Sequence, residues 1–398
     1  MSKKLLILAL VLYVVSTGGS FAAFSYVNKS GVSQVSQTDQ IDELGESELA
    51  QLLEIDPKEP IDQKCPINGK LYTQTERQAW EQRRPLAVMI ENAPDARPQS
   101  GLSKADVVFE AIAEGGVTRF LTIYLCGAQR SDITLAPIRS ARTYFVNLAA
   151  AFNRPLYVHV GGSNIGEHET NALEYLSYIG WTAANDLNQF SIGYPTFVRN
   201  YNRLPDKDLA TEHTMETTTE ALWEVAAKRE WTNMSPERKA GRRIVEPENW
   251  YEEFESWSFQ DETPTPGSIT EIEHDFWSGY DQYRVRWVYN PETNAYKRFM
   301  GGESHVDLNT DKQIEASTVV VFMTDEKGPV DEKKHMIYPT EGRDDALIFQ
   351  NGQVIEATWS RDDYDEKILF TDDKGKEVEF SPGLMWVAVV DSSTDVEY

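Results

Sequence analysis

Four short, nearly continuous apolar runs constrain this chain most: Leu86–Ile90, Val107–Ile112, Phe120–Leu125 and Leu156–Val160. A strand with one wet face alternates polar and apolar residues, so runs of this kind mark strands covered on both faces. Helical patterns lie between and after them. Ser140 is placed to cap a helix through Thr143–Phe152, and Glu167–Ile179 repeats apolar residues at Ala172, Leu173, Leu176 and Ile179. Thr217–Lys228 sets Leu222, Val225 and Ala226 on one side. Strands mixed with helices predict an α/β N-terminal domain over residues 65–235, a layered sheet with helices.

The pattern changes downstream. Residues 236–267 hold Pro236, Pro247, Pro264 and Pro266 together with Trp250, Tyr251, Phe254, Trp257 and Phe259. That many aromatics predict a connector packed on a domain rather than a free linker. From Ser268 the period is two. Tyr283–Tyr289 alternates, breaks at Asn290-Pro291 and resumes over Ala295–Phe299. Asn351-Gly352 and Asp373-Lys374-Gly375 each separate two strand-like runs, as hairpin turns do. Residues 268–398 therefore read as a mainly antiparallel β domain.

The N-terminus sets the expected compartment. Lys3 and Lys4 precede Leu5–Val27, 23 residues without a charge, which as a helix would span ~34 Å, enough for a bilayer core. Residues 1–27 are expected to be an uncleaved membrane anchor with the body outside the cytoplasm, a cleaved signal peptide being the alternative. Residues 28–64, rich in Asp and Glu, read as an acidic flexible tether. The formal charge of −26 argues against a nucleic-acid binder, which needs a basic face. The cysteines are two, Cys65 and Cys126, too few for zinc ribbons or iron–sulfur clusters. Outside the cytoplasm they are expected to pair as a disulfide, with free thiols as the alternative.

The run Arg83–Asn92 followed by Ala96–Leu102 is close to the opening motif of the YerB-like family, bacterial envelope lipoproteins and anchored proteins built on a domain of unknown function. Ala105–Glu110, Glu114–Phe120, Pro137–Arg142 and His159–Gly162 also resemble that family, and Gly301–Gln313 and Asn351–Trp359 look like its second domain. The resemblance covers about residues 65–398. It implies a location in the cell envelope and a two-domain fold, and no known activity. The chain departs from the pattern in lacking a lipobox cysteine, and in carrying Thr211-Glu212-His213-Thr214 where many relatives have Pro-His-Asn.

Arg139-Ser140-Ala141-Arg142 is the most informative polar cluster. Two arginines at the start of a helix oppose its macrodipole, so an anion is expected among them, either a ligand or the protein's own Glu110 and Glu114. Asn92, Arg97, Arg119, Gly161 and Gly162 come from the same motifs and are expected to join Arg139, Ser140 and Arg142 in one ligand-binding cleft. Glu110, Glu114 and His159 are the candidates for acid–base chemistry there. His305 and Asp307 make half a metal pattern without a third ligand, so neither a metal nor another cofactor is expected.

The leading expectation is a membrane-anchored extracytoplasmic protein that binds a phosphate-bearing envelope ligand. The alternatives are an envelope phosphotransferase or hydrolase acting on a phosphate-linked glycan, and a non-catalytic scaffold for other envelope proteins. Arg130-Ser131-Asp132 ahead of Arg139 bears a slight resemblance to the LytR-type glycopolymer transferases.

Overall fold

All four apolar runs are strands of a single sheet in the computed structural model, which describes residues 52–234, 238–240, 243–247 and 249–398. They span Leu86–Glu91, Val107–Glu114, Val117–Tyr124 and Leu156–His159, and nearly every residue in them is buried. The expected anchor and the tether as far as residue 51 lie outside the described residues. Among those described, no helix is long and apolar enough to cross a membrane.

The sheet has ten strands drawn from both parts of the chain. In spatial order they are Leu369–Asp372, Gln353–Arg361, Gly342–Gln350, Thr318–Thr324, Met385–Asp391, Val107–Glu114, Val117–Tyr124, Leu86–Glu91, Leu156–His159 and Asp186–Asn188. The C-terminal strands join the N-terminal ones where Met385–Asp391 runs parallel to Val107–Glu114, with Met385 opposite Val107 and Ala388 opposite Glu110. A second, six-stranded antiparallel sheet contains Glu271–His274, Val285–Asn290 and Ala295–Met300. The two-residue period is explained there: Val285, Trp287 and Tyr289 point inward, and Trp287 packs edge-on against Trp386 at 5.5 Å.

The expected α/β layering needs correction. The described chain is mostly β with few helices, the longer ones being Gln74–Trp80, Thr143–Ala150, Ala172–Tyr178 and Thr219–Lys228. Val107–Glu114 and Val117–Tyr124 form an antiparallel hairpin with no helix between them, turning at Gly115-Gly116. An unbroken apolar run reports burial but not the direction of its neighbour. The expected boundary at 236–267 separates two sequence patterns, not two sheets. Its aromatics bind both parts together: Trp257 packs edge-on against Phe152 at 5.8 Å and Phe380 at 5.7 Å, and Trp250 Nε1 donates to Phe152 O at 2.7 Å. Ser140 does not cap a helix; the helix begins at Thr143 with Arg142 at the cap position and no side-chain cap bond. The peptide groups around Ser140 are instead engaged with the strand ends, Arg139 N donating to Met89 O and Ala141 N to Gly161 O.

Cys65 and Cys126 form a disulfide, 2.14 Å between sulfurs. It ties the N-terminal hairpin of Ile61–Lys64 and Leu71–Thr73 to the chain just after Val117–Tyr124.

Candidate functional site

A polar cluster forms where three neighbouring strands end together. Glu91 closes Leu86–Glu91, Glu114 closes Val107–Glu114, and antiparallel pairing places Arg119 opposite Glu91 and Ala111. The segment Pro137–Arg142 crosses these ends, held by Glu91 N to Pro137 O, Arg139 N to Met89 O and Val160 N to Arg139 O, each about 3 Å. That crossing brings Arg139 and Arg142 to the carboxylates.

Glu114 is held by two arginines. Arg119 Nη2 lies 2.6 Å from Oε1, and Arg142 Nη2 donates to Oε2. Both guanidiniums are buried, while the Glu114 side chain is 28% exposed. Burial alone would raise this carboxyl, but Arg119, Arg142 and the field of Arg139 outweigh it and hold Glu114 at about 2. Glu91 is the second anchor: Arg139 Nε is 3.2 Å from Oε1, and His213 Nδ1 is 2.8 Å from Oε2. The bond to Glu91 raises the His213 imidazole above its usual range despite partial burial.

The charges do not cancel. Arg119, Arg139, Arg142 and Arg199 face Glu91, Glu114 and Glu212, which leaves one positive charge over, and His213 adds to it when protonated. Arg139 is the open member. Its side chain is 27% exposed, and its terminal nitrogens bond to no protein group among the described residues.

The remaining expected site residues have structural roles, and several expectations are corrected. Glu110 is fully buried, accepting from Arg298 Nη2 at 2.7 Å, Trp386 Nε1 at 3.2 Å, Asn92 Nδ2 at 3.2 Å and Thr118 Oγ1 at 2.8 Å. With no open face it cannot exchange a proton with a ligand. Asn92 belongs to the same buried network, and Arg97 donates to Asn92 and to Gln282 O at 2.8 Å while lying over the Tyr283 ring. His159 is buried between Asp186 Oδ1 at 2.7 Å and Gly161 O at 2.6 Å, so it is a satisfied core histidine. Gly162 lets two segments approach, because a Cβ there would lie 3.0 Å from Leu173 and 3.2 Å from Ala141. Ser140 contributes its carbonyl, which accepts from Arg119 Nη1 at 2.9 Å. Arg130 is paired with Glu76, and Asp132 accepts from Glu220 N, so neither joins the cluster.

The sequence reading missed Glu91, although it lies inside the Arg83–Asn92 motif, and undervalued His213. It also missed Arg298, which bonds His305 Nδ1 at 2.9 Å; His305 in turn reaches Gln99 Oε1 at 2.9 Å. Asp307 accepts from Gly101 N and Ser103 N. Among the described residues, no group of three or more His, Cys, Asp or Glu is placed to hold a metal ion. Two cavities, of about 690 and 570 Å³, lie away from the cluster and are rich in acids such as Glu273, Asp391 and Asp365.

Residues 72–232 match the family model described as "Protein of unknown function (DUF3048) N-terminal domain", and residues 274–387 match the corresponding C-terminal domain. The chain belongs to the YerB-like family. It is 29% identical to "Putative lipoprotein YerB" of Bacillus subtilis (strain 168) over 336 residues, which covers 82% of this chain and 86% of that protein. The crystal structure of the YerB protein from Bacillus subtilis superposes with a TM-score of 0.65 at 27% identity, covering 85% of this chain and 100% of that one. Glu91, Glu114, Arg119, Arg139, Arg142 and His213 fall within the first YerB-like domain. Glu110 and Arg298 fall one in each, so the buried network joins the two domains of the family.

Proposed function

We propose that this YerB-like protein is a membrane-anchored, extracytoplasmic protein of the cell envelope that binds a phosphate-bearing ligand at Arg139. The observation that carries the reading is the unmatched positive charge of the cluster, with the terminal nitrogens of Arg139 open to solvent. A guanidinium presents a planar fork that fits two oxygens of a phosphate, and Arg119, Arg142 and His213 supply the surrounding positive field. Against a net charge of −26, such a site is a local reversal of the molecule's own potential. The lipoprotein relative supports the envelope location. A carboxyl held at about 2 donates no proton near neutral pH, so Glu114 anchors two arginines instead of acting as a general acid.

The test is thermal unfolding of the full-length chain in detergent micelles with inorganic pyrophosphate. The wild type is expected to melt higher as pyrophosphate rises, and Arg139→Ala to melt at one temperature whatever the pyrophosphate concentration, from a lower ligand-free midpoint because Glu91 loses an ion-pair partner. A wild type indifferent to pyrophosphate would overturn the reading.

A further inference from the structure

Two segments far apart in sequence build an aromatic patch on the surface. Helix Ala172–Tyr178 carries Tyr175 and Tyr178, and the ring of His168, from the loop before it, lies 4.5 Å from that of Tyr178. Tyr364, just after the strand Gln353–Arg361, meets Tyr175 edge-on. Ring centroids lie 6.5 Å apart from Tyr178 to Tyr175 and again from Tyr175 to Tyr364, so the three tyrosines are contiguous. Tyr178 is 72% exposed. Single exposed aromatics need no explanation, but adjoining rings mark a contact surface.

The surroundings are acidic. No lysine or arginine occurs between Arg154 and Arg199, whereas Glu167, Glu169 and Glu174 are all exposed. Tyr364 sits inside Asp362-Asp363-Tyr364-Asp365-Glu366, whose four acids are exposed as well. Burial raises the Tyr175 phenol, and Tyr364, Glu341 and Asp363 add to the rise against Arg361. That arginine is buried, donating to Asn147 O and Glu366 O at 2.9 Å and also to Tyr364 O. It fixes Tyr364 in place, with its charge turned inward.

We propose that this patch docks an extended, arginine-rich segment of a partner protein, independently of the anion site. A guanidinium stacks on a tyrosine face while carboxylates at the rim complement its charge, so rings and acids together select a cationic partner. Side chains on one face of an extended chain recur every ~7 Å, close to the step between neighbouring tyrosines, which suits alternate arginines. The same acids repel an anionic membrane surface.

The fold supplies a control surface. Thr143 Oγ1 donates to His168 O at 2.8 Å, so the patch adjoins helix Thr143–Ala150. Phe109 packs on Phe152, just past that helix, while the next residue, Glu110, reaches Arg298 of the six-stranded sheet. Neighbouring strand residues point to opposite faces, so the six-stranded sheet covers the other face of the ten-stranded one.

Fluorescence anisotropy of a labelled peptide of four Arg-Ser repeats, with the full-length chain in non-ionic micelles, tests this. The wild type is expected to bind, Tyr178→Ala to bind about five-fold weaker, and Tyr178→Phe to match the wild type. Glu167→Gln/Glu169→Gln/Glu174→Gln should weaken binding about ten-fold. Glu292→Gln/Glu303→Gln/Glu397→Gln removes the same charge from exposed positions around the six-stranded sheet, and should weaken it about two-fold at most. A wild type that does not bind, a Tyr178→Ala variant indistinguishable from it, or equal losses in the two triple variants overturns the proposal.

Discussion

Glu114 shows how a single residue carries the electrostatics of the cluster. Its folded value of about 2 lies below the ordinary 4.5, because two buried guanidiniums and Arg139 outweigh the effect of burial. A carboxyl depressed in the folded state stabilises it above its unfolded value, and that stability is lost as pH falls through the folded value. The wild type should therefore lose urea resistance steadily from about pH 4.5 down toward about pH 2. Glu114→Gln should be weaker at neutral pH, with Arg119 and Arg142 left less compensated, and should fall less over the same interval. Parallel pH profiles for the two proteins would contradict this account. His213 has the opposite sign. Its value is raised by the bond to Glu91, so its contribution is fully present below the ordinary 6.5 and fades as pH rises through the folded value.

The element that sets the site is the hairpin of Val107–Glu114 and Val117–Tyr124. Its turn has Gly115 at φ +56° and Gly116 at φ +84°, both in the region that side chains disfavour. The two glycines are not equivalent. A Cβ on Gly116 would lie 2.2 Å from the Tyr280 ring, whereas one on Gly115 would meet the flexible Lys334 side chain at 3.1 Å. Gly116→Ala is thus expected to destabilise by about 2 kcal/mol, and Gly115→Ala by about 1 kcal/mol. Chemical unfolding of both variants measures the order, and a costlier Gly115→Ala would contradict the geometry. Because Glu114 directly precedes the turn, Gly116→Ala should also disturb its grip on Arg119 and Arg142.

At the scale of the whole molecule, the two family domains are one mechanical body. They share the ten-stranded sheet, and Glu110 and Arg298, 188 residues apart in sequence, meet at 2.7 Å with both side chains fully buried. The Arg298 guanidinium, brought down to about 10 by burial, lies 4.1 Å over the Trp386 ring. Removing one partner of such a pair leaves an uncompensated buried charge, at a cost of about 3–5 kcal/mol. Glu110→Gln should lower stability by about that much in one cooperative transition, with fluorescence and far-ultraviolet dichroism changing together. Two separated steps would contradict the shared sheet.

Much of this protein was legible in its residues. The apolar runs located the central strands, alternation over Tyr283–Tyr289 located a half-buried strand, and Asn351-Gly352 located a hairpin between Gly342–Gln350 and Gln353–Arg361. Periodicity reports how many faces of an element are covered, and turn residues report where the chain reverses; both are local properties. The arginines and Glu114 were also visible as a cluster, since they lie in neighbouring motifs. What covers each face, and which partner each charge finds, are decided across long sequence separations. The parallel seam between Val107–Glu114 and Met385–Asp391 left no local mark, and neither did the pairing of Glu110 with Arg298. Only the tertiary structure could withdraw Glu110 and His159 from the surface and leave Arg139 open, because burial in a sheet is fixed by the strands and loops that pack on it, not by the residue itself.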